Sequence, residues 1–422
     1  MKCAHDSVLV ACLLLLAGCG VCGQVQQHRA AFEDRLAGSN EGHAAHLRLT
    51  IPEKEIRGWE RRAVSALPPA FMSVPGLGDM GRHLSRLELI PRSVTLDSTE
   101  EQLRVAVDVD VKRGQEVLFG LEFNAKAPTH YDSARGRLSI DVEADLFESV
   151  KPRLQGDAIA SFRRAMLRGV PQPIARLLPK KRLDRLAKKA VEHVLATAYE
   201  TLRGRVLRRI GTLTSFALEF PRLPLAAIRL TTQRKQWIVD VQTTLSAPGL
   251  GPVTEDRGKR IRLDVSTFAM AQIGNWAMRE GHIPSRYTPQ GRASTQGAFT
   301  AGVAWTQADR PLKVHLWTAA PEQADVCVRV KAGGEARLAY ANKKLAVHFT
   351  EGHLEEAVGP PLFESALDIL GITDRVFDFT RVIAVDSKLK LGGAPVPLKV
   401  ESAALTGNRI SFELTRRGTK QR

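Results

Sequence analysis

Several residue groupings in this 422-residue chain have types and spacings that could support chemistry. Gly76-Leu77-Gly78-Asp79-Met80-Gly81 matches the GxGxxG string of dinucleotide sites. Such a site needs a strand before it and a helix after it, so that the pyrophosphate meets the helix N-terminus. Here a Pro-rich stretch precedes and a strand pattern follows, so the string reads as a loop. His43 and His46 offer two imidazoles but no third donor nearby, which is too few for a metal centre. Asp108 and Asp110 share one strand face with Arg104 and Lys112, the pattern of a solvated surface and not of an acid–base pair. Cys327, in Val326-Cys327-Val328-Arg329-Val330, lacks a His placed by sequence to activate it and reads as a passive, half-buried thiol. No HExxH, GxSxG or GxxxxGK[ST] string occurs. The residues thus predict no catalytic group, no metal and no cofactor, and a protein that is not an enzyme.

The strongest chemical signal lies at the start. Lys2 precedes an apolar run from Val8 to Ala17, too short to span a bilayer and of the length of a signal-peptide core. It ends in Leu16-Ala17-Gly18-Cys19, which resembles a bacterial lipobox: residues 1–18 would be the signal peptide and Cys19 the lipidated residue. Leu9-Val10-Ala11-Cys12 has the same form, but the apolar run before it is too short. Several acyl chains (palmitate-type) on one Cys give stable attachment, where a single chain anchors only marginally. Gly20 follows Cys19 in place of a retention Asp, which favours the outer membrane of a bacterial envelope, facing the periplasm. Residues 19–44, polar and without sustained periodicity, are expected to be a flexible tether. Of the five cysteines only Cys22 and Cys327 then remain, and with Cys22 in a tether no native bridge between them is expected.

The elements that would carry a function come in two similar series. The composition, 44% hydrophobic and 25% charged, is globular, and the length suits two domains, at 45–250 and 260–418. The first opens with a strand, Leu47 to Ile51, then a helix whose face carries Ile56, Trp59, Ala63 and Leu67. Strands with one dry and one wet face follow; Leu103 to Val111 alternates apolar with Arg104, Ala106, Asp108 and Asp110. A long helix is expected from Pro179 to Ile210. Its apolar stripe is Leu183, Ala187, Ala190, Val194, Ala198, Leu202 and Val206. Ten cations, Arg185, Lys188, Lys189, Arg205 and Arg208 among them, against three acids give it seven of the sixteen net positive charges. After a Pro/Gly-rich break at 247–252 the plan restarts, 214 residues on. The strand Ile261 to Val265 meets Ser266, an N-cap, and a helix bearing Phe268, Ile273 and Trp276 that ends at Gly281. Strands return, with a short helix near Leu362 to Leu370.

The fold class predicted is α+β: two tandem units, each a strongly twisted antiparallel sheet wrapped around a helix. In this the chain resembles the tubular lipid-binding (TULIP) family that includes bactericidal/permeability-increasing protein. IRLDVSTFAMAQIGNWAMREGHI, Ile261 to Ile283, is similar to the strand–helix opening of that family's second domain. LRLTIPEKEI, Leu47 to Ile56, and the Tyr131-Asp132-x-x-x-Gly136 turn resemble small bacterial lipoproteins of the same fold. The disulfide typical of animal members is missing, since no Cys lies between 23 and 326.

The resemblance implies that acyl chains lie between sheet and helix, where each buried methylene is worth about 0.8 kcal/mol. Trp59, Leu183, Ala187, Ala190, Val194, Ala198, Leu202, Phe268, Ile273 and Trp276 would line the cavity. Ala187, Ala190 and Ala198 leave room for a ligand or allow close helix–sheet packing; composition fits both. Arg185, Lys188, Lys189, Arg205 and Arg208 would form a basic rim for acidic headgroups. The function expected is a membrane-anchored lipid- or amphiphile-binding lipoprotein with a phospholipid or other acyl-chain ligand and no nucleic-acid partner. The alternative is an assembly lipoprotein that binds a protein.

Overall fold

A computed structural model describes residues 20–35, 44–72, 87–99, 102–132, 134–147, 151–153, 206–219, 223–233, 235–253, 260–288, 292–322, 324, 326–341, 344–360, 379–384, 388–391 and 394–416, and, singly or in pairs, 164, 179, 181–182, 184–185, 188–189, 192–193, 196–197, 200 and 363. Helix α1 (residues 20–35) precedes β1 (Leu47–Ile51) and α2 (Glu53–Ser65). Then come β2 (Ala70–Met72), β3 (Leu87–Ser98), β4 (Gln102–Arg113), β5 (Glu116–Pro128), β6 (His130–Asp132), β7 (Arg137–Ile140) and β8 (Lys151–Arg153). Helix α3 (Arg208–Thr214) leads into β9 (Phe216–Glu219), β10 (Leu225–Gln233) and β11 (Gln236–Thr243). The second half opens on β12 (Ile261–Ser266) and α4 (Thr267–Arg279). It continues through β13 (Arg286–Tyr287), β14 (Phe299–Trp305), β15 (Leu312–Thr318), β16 (Arg329–Ala341) and β17 (Lys344–Val358). It closes with β18 (Phe379–Ala384), β19 (Lys388–Leu391), β20 (Ala394–Thr406) and β21 (Arg409–Arg416).

The fold is α+β and its sheets are antiparallel. Strands β2-β3-β4-β5-β8 form one sheet, β13-β14-β15-β16-β17-β18 a second, and β10-β11-β1-β12-β21-β20-β19-β9-β7-β6 a third that runs through both halves of the chain. The expected alternation is met residue by residue in β4, where Leu103, Val105, Val107, Val109 and Val111 are at most 1% exposed. Phe119, Leu121, Phe123, Ala125 and Ala127 of β5 are equally closed, because a period of two turns every second side chain to one face. Helix α2 buries Ile56, Trp59 and Ala63, with Leu67 just beyond it. Helix α4 starts and stops where its caps dictate. The Ser266 hydroxyl accepts from Ala269 N, and at the other end His282 N donates to Ala277 O (2.8 Å) and Gly281 N to Met278 O (3.2 Å). That paired closure needs a left-handed residue, and Gly281 has φ +72°.

The two strand–helix openings meet at the middle of the long sheet. Strand β1 pairs with β12 so that Leu49 faces Leu263, residues that are themselves 214 apart. On its other side each opening strand pairs with the last strand of its own half, β1 with β11 and β12 with β21. The repeat noted in the sequence is therefore a local two-fold relation in the structure. The halves are nevertheless not separate beads, since β19 of the second half pairs with β9 of the first.

Several expectations are corrected. Residues 20–35, inside the 19–44 expected to be a flexible tether, form a helix with Val25 and Phe32 buried, because a few apolar side chains in a polar segment find a docking surface elsewhere in the chain. Cys22 and Cys327 form a disulfide. The Pro/Gly-rich break at 247–252 is held in place: Leu250 N donates to Ala45 O (2.6 Å) and the Ser266 hydroxyl to Pro248 O (2.7 Å). Where the long helix was expected to end at Ile210, α3 runs on to Thr214. Leu183, Ala187, Ala190, Val194, Ala198, Leu202 and Arg205 lie outside the described residues, as do Cys19, Gly76 to Gly81 and, except for Phe363, the expected helix at 362–370.

Candidate functional site

The main core is built mostly from the first half, with Ile261, Val265 and Phe412 of the second half packed into it. Trp59 from α2 stands edge-on to Trp237 of β11, ring centroids 5.4 Å apart, and Trp237 meets Phe216 at 5.8 Å. The Trp59 indole N–H donates to Leu213 O (2.7 Å) at the end of α3, so the one polar atom of this wedge is satisfied. Trp59, expected on a cavity wall, is 4% exposed within this wedge.

The second half differs. Strand register sets Ala301, Val303 and Trp305 of β14 on one face with Leu312, Val314 and Leu316 of β15 and Val330 and Ala332 of β16. Val314 and Ala332 are buried there, but Ala301, Val303, Trp305, Leu312, Leu316, Val330 and, on β17, Leu354 are only half-buried. Helix α4 lies beside this face, and a side chain at Gly274 would touch Val303. The α4 candidates Phe268, Ile273 and Trp276 are half-buried too, Ile273 packing toward the main core. Asn275 fixes the helix to the sheet edge: its Nδ2 donates to Val303 O (2.7 Å) and its Oδ1 accepts from Val303 N (2.8 Å). Apolar lining with a few directed polar groups is what hydrocarbon recognition requires. Val303, Leu312, Leu316, Val330 and Leu354 were not singled out from the sequence. Their alternation was visible, but which of many dry strand faces would stay open was not.

The opposite face of the same sheet carries Gly302, Lys313, His315, Trp317, Arg329 and Lys331, and α1 covers it. Phe32 sits over Gly302, where any side chain would collide with its ring, and lies 4.9 Å from the His315 ring and 5.0 Å from Trp317. His315 stacks on Trp317 at 5.4 Å and 11°. Burial, with Arg329, Lys331 and Arg35 nearby, pushes the His315 pKa down to about 4, against the opposing charge of Glu355. Lys313 and Lys331 both pair with Glu355, and Arg329 with Glu356. Arg29 of α1 donates to Ala319 O (3.1 Å), and the Cys22–Cys327 bridge closes the end of the contact. Two cysteines left after the expected signal peptide were the signal for this bridge.

The remaining chemical candidates have structural roles. His46 is fully buried: its Nδ1 accepts from Thr243 N (3.2 Å) and its Nε2 donates to Ala247 O (2.9 Å). Burial lowers its pKa, the Ala247 contact acting the other way. The Ser93 hydroxyl donates to Asp108 (2.6 Å). Among the described residues no cluster of His, Cys, Asp and Glu could hold a metal. Of the basic-rim candidates Arg185, Lys188, Lys189 and Arg208 are exposed.

No protein-family model matches the chain, and no curated protein matches it. Among solved structures it is similar to P47 from Clostridium botulinum A2, at 10% identity and a TM-score of 0.42, over 89% of this chain and 98% of that one. It is likewise similar to P47 of Clostridium botulinum E1, at 8% identity and a TM-score of 0.44, over 88% and 98%.

Proposed function

We propose that this chain is a non-enzymatic lipoprotein of the bacterial envelope, anchored through Cys19 to the outer membrane and facing the periplasm, that binds phospholipid or another acyl-chain ligand. Its halves would be two tandem TULIP-like units with different roles, the first a filled structural body and the second the binding unit. The observation that carries this reading is the contrast between the interiors: dry faces at most 1% exposed in β4 and β5, against half-buried apolar residues around the buried Val314, Ala332 and Phe349 in β14 to β17. Hydrocarbon filling that second face would remove apolar area from water at roughly 25 cal/mol per Å². Exposed Arg185, Lys188, Lys189 and Arg208 would then favour acidic headgroups, at about 1 kcal/mol each near an anionic surface.

Native mass spectrometry of protein extracted mildly from its own membrane tests the reading. Bound lipid is the expected result, with less of it in Leu316→Trp, which fills the second face, once that variant's melting temperature shows it folded. Protein that emerges empty and takes up no added phosphatidylglycerol would overturn it, and a stoichiometric protein partner without lipid would support the assembly alternative.

A further inference from the structure

The disulfide ties the outer face of the second half to the segment that carries the anchor. We propose that Val326, beside the Cys22–Cys327 bridge, is a membrane-contact residue, held by that bridge near the headgroup layer of the bilayer that carries the Cys19 anchor. This rests on the anchoring part of the reading above and is independent of whether the second half binds lipid inside.

The argument is one of reach. Two residues lie between Cys19 and Cys22, so the three steps of chain that join them span at most about 11 Å. The Cα atoms of Cys22 and Cys327 are 5.1 Å apart. Cys327 therefore stays within about 16 Å of the anchored residue, whatever the conformation between. Were 19–44 a free coil, its root-mean-square span would be about 28 Å, and the body could turn any surface to the membrane. The helix removes that freedom as well: Phe32 over Gly302 and Arg29 on Ala319 O hold α1 to the sheet beyond the bridge.

The turn has the surface such a contact needs. Val326, next to Cys327, is 55% exposed, while Val21 and Ala324 beside the bridge are half-buried. Glu322 is exposed and Asp325 follows in sequence, so attraction to an anionic leaflet does not hold this turn down. The tether does, by keeping Val326 within about 20 Å of the anchored residue, where even a weak apolar contact is populated.

The test places the photocrosslinking residue p-benzoylphenylalanine at Val326 in the full chain, in the envelope of the producing cell, with a control at Arg135, exposed in a first-half turn. A phospholipid adduct at 326 and none at 135 is expected, falling roughly tenfold when Cys22→Ser and Cys327→Ser release the tether. Intact mass in the same sample reports Cys19 acylation and the bridge. Acylated, bridged protein without a lipid adduct at 326, or an adduct unchanged in the double variant, overturns this inference alone. Unacylated Cys19 overturns it together with the anchoring.

Discussion

Asn275 does with one side chain what a neighbouring strand would do with its backbone. Strand β14 has a partner on one side along its length but meets β13 only at Phe299 and Thr300, so Val303 presents an N–H and a carbonyl that nothing in the sheet can satisfy. The amide of Asn275 matches both. Asn275→Ala should cost about 2 kcal/mol, since two buried backbone groups lose their partners, read as a fall in the urea midpoint at unchanged m-value. His315 sets a pH dependence. Its folded pKa, about 4, lies below the unfolded 6.5, so the unfolded chain binds the extra proton first as pH falls. Stability from this group is complete above pH 6.5 and lost as pH drops toward 4, by up to about 3 kcal/mol. Thermal melts at pH 7.5 and 4.5 should show a large loss in the wild type and a smaller one in His315→Asn, whose remaining slope belongs to carboxylates such as Glu355. Equal slopes would show that His315 keeps its charge in the fold.

At the scale of elements, α1 is the piece whose state depends on a single covalent bond. A helix of this length is marginal alone in water and needs its docking surface. That surface is small: Val25 and Phe32 against Trp317 and Cys327. The bridge spans 305 residues, and the chain-entropy argument gives such a closure about 6 kcal/mol. Mild reduction should therefore release α1, with tryptic cleavage at Arg29 and Arg35 rising steeply while cleavage within β3 to β5 does not. Cleavage of α1 at the same slow rate in reduced protein would mean that Phe32 and its ring contacts suffice.

For the whole molecule, the long sheet decides what can fold alone. A chain cut between 250 and 260 gives fragments that each lack neighbours: β1 loses β12, and β9 loses β19. Fragments 45–250 and 260–418 expressed separately should show poor dispersion in amide spectra and recover it when co-expressed. Two well-dispersed, non-associating fragments would contradict this. The same sheet explains why the halves can differ in filling. It supplies a common wall, so the first half can close around Trp59, Trp237 and Phe216 while the second leaves apolar residues half-buried.

Much of the local structure was legible because local rules wrote it. The period of two in β4, the face of α2, Ser266 as a cap and Gly281 as a stop depend on neighbours a few residues away, and the structure has them where the spacing put them. The 214-residue offset was legible as well, but not that it would bring Leu49 opposite Leu263. Only tertiary structure decided the shared sheet, the helix at 20–35 with its bridge, and which dry face stayed open. Each depends on contacts hundreds of residues apart, where apolar residues suit many partners equally and geometry alone selects among them. A segment such as 20–35, with two buried anchors in sixteen residues, carries too little pattern to announce its partner; Gly302 had to leave the space for Phe32.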